Sequence, residues 1–193
     1  MKVVAFNGSA RKDGNTAILI KRVFQELEAE GVQTELVSLA GKKIRGCLAC
    51  FKCFENHDRQ CSIKKDDYIN ECIGKMIEAD GIILASPTYF ANVSMEMKAL
   101  IDRAGLVTFA NKGMLRHKVG AAITVAQRTG ASQALMAMNT FFCCFEMFTV
   151  GSDYPNMAIG LQKGDVEKDA MGLETMRVLG RNMAFLLKKL NAK

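Results

Sequence analysis

The chain has 193 residues, 49% of them hydrophobic and 24% charged, with 26 Lys and Arg against 20 Asp and Glu and a formal net charge of +6. These proportions are those of a globular chain that buries a substantial core, and the length sets one domain over 1–193 as the expectation. The basic residues are spread along the sequence, and three Tyr with no Trp offer few stacking surfaces, so no nucleic-acid module is read. The apolar runs are too short to span a membrane and no signal-peptide pattern opens the chain, so a cytoplasmic protein without membrane partners is expected.

The first predicted strand is the apolar run Val3, Val4, Ala5 and Phe6, broken at Asn7-Gly8. A polar loop leads to Gly14-Asn15-Thr16, and a helix follows with Ile18, Leu19, Val23, Phe24 and Leu27 near one face. Strand, glycine-containing loop and helix start together favour an anion, because free N–H groups and the helix dipole converge there. The spacing is not that of a Walker loop, since five residues separate Gly8 from Gly14 and Asn15 stands where lysine is required. The dinucleotide pattern Gly-x-Gly-x-x-Gly is absent too. Ser9, Arg11, Asn15 and Thr16 remain as donors suited to a terminal phosphomonoester; the plain alternative is an ordinary polar turn.

Gly31 marks the end of that helix, and Thr34 to Leu39 alternates as a second strand. A cysteine-rich segment occupies about 44–65. Asp66-Asp67 is placed to cap a helix running to about Ala79. Gly81 to Ala85 reads as a strand buried on both faces, ending at Ser86-Pro87. Ser94 is placed to cap a helix containing Met97, Leu100 and Ile101, on which Lys98, Asp102 and Arg103 read as surface or subunit contact. Val119 to Val125 is a further buried strand, Ala131 to about Phe145 a helix, and Phe148 to Val150 a short strand. Ser152 to Gly164 reads as irregular, and Asp165 to Leu190 as a closing helix broken near Gly172.

Strands alternating with helices predict a doubly wound parallel α/β sheet. Its polar breaks, after Phe6, Ala85 and Val125, all fall at strand carboxyl ends, where such sheets bind ligands. In the second break, Pro87 fixes a turn and Thr88, Tyr89, Phe90 and Asn92 present hydroxyls, aromatic surface and an amide. In the third, Gln127, Arg128 and Gly130 stand near the same edge, with Arg128 read equally as a nucleotide contact or a surface residue.

The segments GSARKDGNT and SPTYFANVSMEMKALIDR, in this order, resemble the flavodoxin-like NAD(P)H-dependent FMN reductase family. The resemblance spans nearly the whole chain. It implies a five-stranded flavodoxin-like sheet and FMN held through its phosphate by Ser9, Arg11, Asn15 and Thr16. It also implies an isoalloxazine ring lined by Pro87, Thr88, Tyr89, Phe90 and Asn92, and the third loop, with Gln127, Arg128 and Gly130, is expected to cover the other side of the flavin edge through its backbone N–H groups. No catalytic side chain is expected, because the flavin carries the chemistry. Homodimers or homotetramers are expected by the same resemblance.

Residues 47–61 read CLACFKCFENHDRQC, that is Cys-x2-Cys-x2-Cys-x7-Cys. Three thiols at two-residue gaps suit one metal centre, and four thiolates are the ligand set of a cubane iron–sulfur cluster. His57 keeps a zinc reading open. The segment resembles the compact cysteine motif of iron–sulfur flavoproteins, a branch of the same family. That implies a 4Fe–4S cluster on Cys47, Cys50, Cys53 and Cys61 passing electrons to FMN, and the motif's place after the second strand, at the ligand-bearing edge of the sheet, makes a short electron path the expectation. Free or redox-active thiols are the alternative. Cys72, Cys143 and Cys144 are expected to be buried packing residues. The function expected is an FMN-dependent oxidoreductase taking electrons from a ferredoxin or NAD(P)H and passing them to a small acceptor such as oxygen, peroxide or a quinone. A cluster-free NAD(P)H-dependent FMN or quinone reductase is the rival, and a non-catalytic flavin electron carrier or redox-sensing module is an alternative of another class.

Overall fold

A computed structural model describes residues 1–192. Six parallel strands, β1 (Lys2–Asn7), β2 (Gln33–Ser38), β3 (Gly81–Pro87), β4 (Val119–Ala126), β5 (Phe148–Thr149) and β6 (Met157–Ile159), form one sheet. The order is β2-β1-β3-β4-β5, and β6 also pairs with β4. The fifth position of the expected sheet is therefore divided. β5 pairs with Val119 and Gly120 at the start of β4, and β6 with Thr124, Val125 and Ala126 at its end. Periodicity carries no signal for β6, which has only three residues inside a turn-rich segment.

The helices are α1 (Asn15–Ala29), α2 (Lys52–Asn56), α3 (Ile69–Glu78), α4 (Met95–Ala110), α5 (Ala131–Cys144) and α6 (Ala170–Asn191). Successive strand residues point to opposite faces, and two cores result. Val3, Ala5, Ile83 and Ile123 pack on α1 and α6, while Val4, Phe6, Ile82 and Leu84 pack on α3, α4 and α5. α1 stops where Gly31 takes φ +79°, a left-handed cap that a β-carbon would strain. Ser94 caps α4 as expected, its hydroxyl accepting from the Met97 N–H at 3.2 Å. The closing helix is preceded by a 3-10 turn, Asp165–Lys168, and the break falls at Asp169, which caps α6 by accepting from the Gly172 N–H at 2.9 Å.

Two expectations are corrected. Cys72 is buried, but Cys143 and Cys144 are exposed, because Phe141, Phe142 and Phe145 take the inward positions at that end of α5. Lys98 and Asp102 do form an exposed ion pair, but Arg103 is only 1% exposed and belongs to the interior.

Candidate functional site

The strand order reverses between β1 and β3, and the loops leaving β1, β3, β4 and β6 meet there in a cleft of about 220 Å³. Ser9, Arg11, Asn15, Thr16, Pro87, Thr88, Tyr89 and Gln127 line it, together with Val125, Gly160 and Leu161. Clefts of about 440 and 510 Å³ elsewhere are lined by residues such as Asn111 and Met114, or Asp80 and Val119, at the amino ends of the strands. The smaller cleft is the one at the topological switch point, where open α/β sheets bind ligands.

The first loop is wound by its own side chains. The Ser9 N–H donates to Asn7 Oδ1 at 3.0 Å and the Arg11 N–H to Ser9 Oγ at 3.1 Å. α1 then starts behind Gly14 with no side-chain cap. Among the described residues the N–H groups of Asn15, Thr16 and Ala17 have no protein acceptor, so they are free for an anion in the cleft. Gly8 is needed for close approach: a β-carbon there would stand 2.8 Å from Met97 Cβ and 3.0 Å from Ser94 Oγ. Below the floor, Ser94 Oγ donates to the Gly8 carbonyl at 2.6 Å, Ser86 Oγ accepts from the Ser94 N–H at 2.9 Å, and Thr124 Oγ1 donates to the Ser86 carbonyl at 2.9 Å. This buried chain ties the ends of β1, β3 and β4 into one frame.

The second loop closes on itself through paired backbone bonds between Tyr89 and Asn92, of 2.8 and 3.2 Å. Phe90 and Ala91 lie between them with φ +46° and +61°, a turn geometry that usually selects Asn or Gly. Phe90 is fully exposed at its tip, and neither it nor Asn92 lines the cleft. Arg128 is exposed outside the cleft. Gly130 has a packing role: at φ +89°, its backbone passes so close to Ala91 that a β-carbon would lie 2.5 Å from Ala91 Cα. The second and third loops are therefore held together at this point.

A fourth loop went unread in the sequence. Gly160 and Leu161 line the cleft, and Arg11 Nη1 donates to the Leu161 carbonyl at 3.0 Å. Asn15 is committed to the same loop: Nδ2 donates to the Gln162 carbonyl and Oδ1 accepts from the Gly164 N–H, both at 2.8 Å. Its side chain fastens the wall, which leaves its backbone N–H for the anion. Asp165 Oδ2 accepts from the Leu161 and Gln162 N–H groups, and the Gln162 bond, with that from Leu161, holds its carboxyl below the usual range. The Gly160–Gly164 interval was the available signal, a tight turn followed by an acceptor.

Cys47, Cys50, Cys53 and Cys61 line a second, small pocket with Leu48, Phe51, Ile63, Leu106 and Val107. Ala49, Phe51, His57 and Arg59 all have positive φ, so this segment is bent against its preferences. Cys50 Sγ lies 3.3 Å from Ser62 Oγ, and Cys53 is buried beside the Leu106 carbonyl. Among the described residues no group of three or more His, Cys, Asp or Glu converges on a single metal ion. A cubane has an iron at each ligated corner, so its four thiolates must surround a space rather than meet at a point; four cysteines around one apolar pocket fit that demand. His57 does not line this pocket, and its Nδ1 is 2.7 Å from the Ala110 carbonyl, where an Nδ1–H donates to the end of α4. The two pockets share no residue. The cysteine pocket takes in Arg103, Leu106 and Val107 of α4, in the half of the helix away from its Ser94 cap.

A parallel sheet in this order, with an uncapped helix start facing a cleft at the switch point, defines a flavodoxin-like protein. Residues 1–162 match the family described as NADPH-dependent FMN reductase. An iron–sulfur flavoprotein of Methanocaldococcus jannaschii is 38% identical over 97% of this chain and 98% of its own length. An iron–sulfur flavoprotein of Methanosarcina thermophila is 29% identical over 97% and 95%. Among solved structures, a WrbA-like flavodoxin from Agrobacterium tumefaciens superposes with a TM-score of 0.67 at 17% identity, covering 97% of each chain. The chain belongs to the NADPH-dependent FMN reductase family, in its iron–sulfur flavoprotein branch. It is an FMN-dependent oxidoreductase.

Proposed function

We propose that this protein is an electron-transferring oxidoreductase with FMN in the switch-point cleft and a 4Fe–4S cluster on Cys47, Cys50, Cys53 and Cys61. The observation that carries the reading is the lining of that cleft: eight side chains chosen for flavin contact in three separate loops border one space. Bound FMN would supply hydride or one-electron exchange, and the cluster one-electron exchange. The chain's own part is placement. The free N–H groups of Asn15, Thr16 and Ala17, the hydroxyls of Ser9 and Thr16 and the Arg11 guanidinium take the phosphate. Pro87, Thr88, Tyr89 and Gln127 border the ring, while Phe90, Asn92, Arg128 and Gly130 support or flank the rim.

The donor we favour is a ferredoxin, as a small acidic protein. Lys42, Arg45, Lys52, Arg59 and Lys65 are exposed around the cysteine segment and have no carboxylate partner among the described residues. Direct supply by NAD(P)H is the second reading, favoured by the family match. The acceptor is a small molecule, with oxygen, peroxide and quinones as the classes to assay. The separation of the two pockets along α4 favours a homodimer or homotetramer in which sites of different subunits meet.

The phosphate assignment is tested by Ser9→Ala combined with Arg11→Ala, followed by fluorescence titration with FMN. Hydrogen bonds to a charged group contribute about 1.5–3 kcal/mol each, so the double variant is expected to bind FMN at least roughly a hundredfold more weakly. Wild-type affinity in a folded double variant would remove this loop from the site.

A further inference from the structure

Arg103 has the largest fully buried side chain in the protein, on a helix face whose sequence reads as surface. Its guanidinium reaches four groups. Nη1 donates to Asp67 Oδ2 at 2.6 Å and to the Arg45 carbonyl at 3.2 Å; Nη2 donates to the Ile63 carbonyl at 3.3 Å; Nε donates to Cys61 Sγ at 3.3 Å. The side chains of Arg103 and Asp67 are 0% and 1% exposed. A buried charge is tolerated only when it is paired and its remaining donors are satisfied. An isolated arginine–carboxylate pair would be satisfied by a two-pronged contact. Asp67 gives Arg103 one oxygen only and turns the other to the Ile69 N–H at 3.0 Å. The freed Nε–H is spent on the sulfur of Cys61.

Cys61 needs such a hold. Seven residues separate it from Cys53, whereas the other three cysteines follow at two-residue gaps. Asn70 fixes its backbone, accepting from the Cys61 N–H at 2.7 Å and donating to its carbonyl at 2.9 Å. Arg103 fixes its sulfur and, through Arg45 and Ile63, both flanks of the segment, and it lines the cysteine pocket itself. We propose that Arg103 is the positioning residue of this pocket. It holds Cys61 toward Cys47, Cys50 and Cys53, and it places a donor and a positive charge beside the Cys61 ligand of a bound cluster. The second part rests on the cluster reading above. A hydrogen bond and a positive charge at a ligating sulfur raise a cluster's reduction potential.

The test uses full-length R103Q and R103K, purified anaerobically, with FMN content reporting an intact fold. Two readouts are taken. The first is the iodoacetamide labelling rate of Cys61 in iron-free protein, resolved by mass spectrometry against Cys47 and Cys50. The second is the iron content and the reduction potential of the holoprotein. R103Q is expected to keep FMN, label Cys61 several-fold faster, and lose iron or shift the cluster to a more negative potential. R103K is expected to recover part of the potential but not the protection of Cys61, since it keeps the charge and loses the fork. Should R103Q lose FMN, the same labelling comparison in R103K decides. Wild-type labelling of Cys61 in a flavin-loaded variant overturns the positioning role. Faster labelling with an unchanged potential overturns the second part. Wild-type protein without iron, in which Cys61 still responds to the substitution, overturns the cluster reading and sustains the positioning role.

Discussion

Gly130 shows how a single position governs the rim of the cleft. Its φ of +89° and the 2.5 Å approach of a virtual β-carbon to Ala91 Cα leave no room for a side chain. Gly130→Ala is expected to cost about 1–3 kcal/mol, the usual range for a non-glycine residue forced into such a conformation, and to loosen FMN binding as the two loops part. Urea unfolding of the apoprotein with a parallel FMN titration checks both effects. At this scale the sequence was most legible where local chemistry decides. Ser9, Thr16 and Ser94 are hydroxyls at a loop or helix start, and their places follow from backbone needs nearby. Arg103 and Asn15 were read less well for the same reason. The partners that define them, Asp67 and the loop at 161–164, are distant in sequence, and no local pattern announces such a pairing. The three phenylalanines near the end of α5 likewise took the inner positions assigned to Cys143 and Cys144.

At the scale of elements, periodicity recovered β1, β3, β4, α1 and α4 because each is long and buried in a regular pattern. β6 was missed because three residues cannot display a period, and its existence depends on pairing with the carboxyl end of β4. The edge formed by β2 makes a pH prediction. Glu35 is contacted by Lys2 of β1 at 2.7 Å and by Lys75 of α3 at 2.6 Å. The Lys2 and Lys75 bonds together hold its carboxyl below the usual value. A depressed carboxyl contributes stability that is complete above its unfolded pKa and is lost as pH falls through the lower folded value. At neutral pH Glu35→Gln is expected to cost about 0.5–1 kcal/mol, after allowance for solvent screening. The gap between wild type and variant should close below the ordinary carboxylate range, near pH 4 and under. A constant difference from neutral pH into acid, in denaturant unfolding at a series of pH values, would show that the pair contributes nothing.

For the whole molecule, charge and distance matter more than any one bond. The basic residues are spread along the sequence, and among the described residues Lys42, Arg45, Lys52, Arg59 and Lys65 are left without acidic partners around one segment. Reduction by a small acidic electron-transfer protein is expected to slow by roughly tenfold from low to high salt, as steered association does. Lys52→Glu with Arg59→Glu should slow it similarly at low salt. A rate indifferent to both in stopped-flow measurements would leave NAD(P)H as the donor to pursue. Among the described residues no helix is long and apolar enough to cross a membrane. The most direct test of the account is the absorption spectrum of anaerobically purified protein, with FMN, iron and acid-labile sulfide assayed on the same sample. One FMN with about four iron and four sulfide per chain is the predicted result. FMN without iron would contradict the cluster and leave the cysteine pocket to thiol chemistry, and neither FMN nor iron after reconstitution would contradict the reading of both pockets.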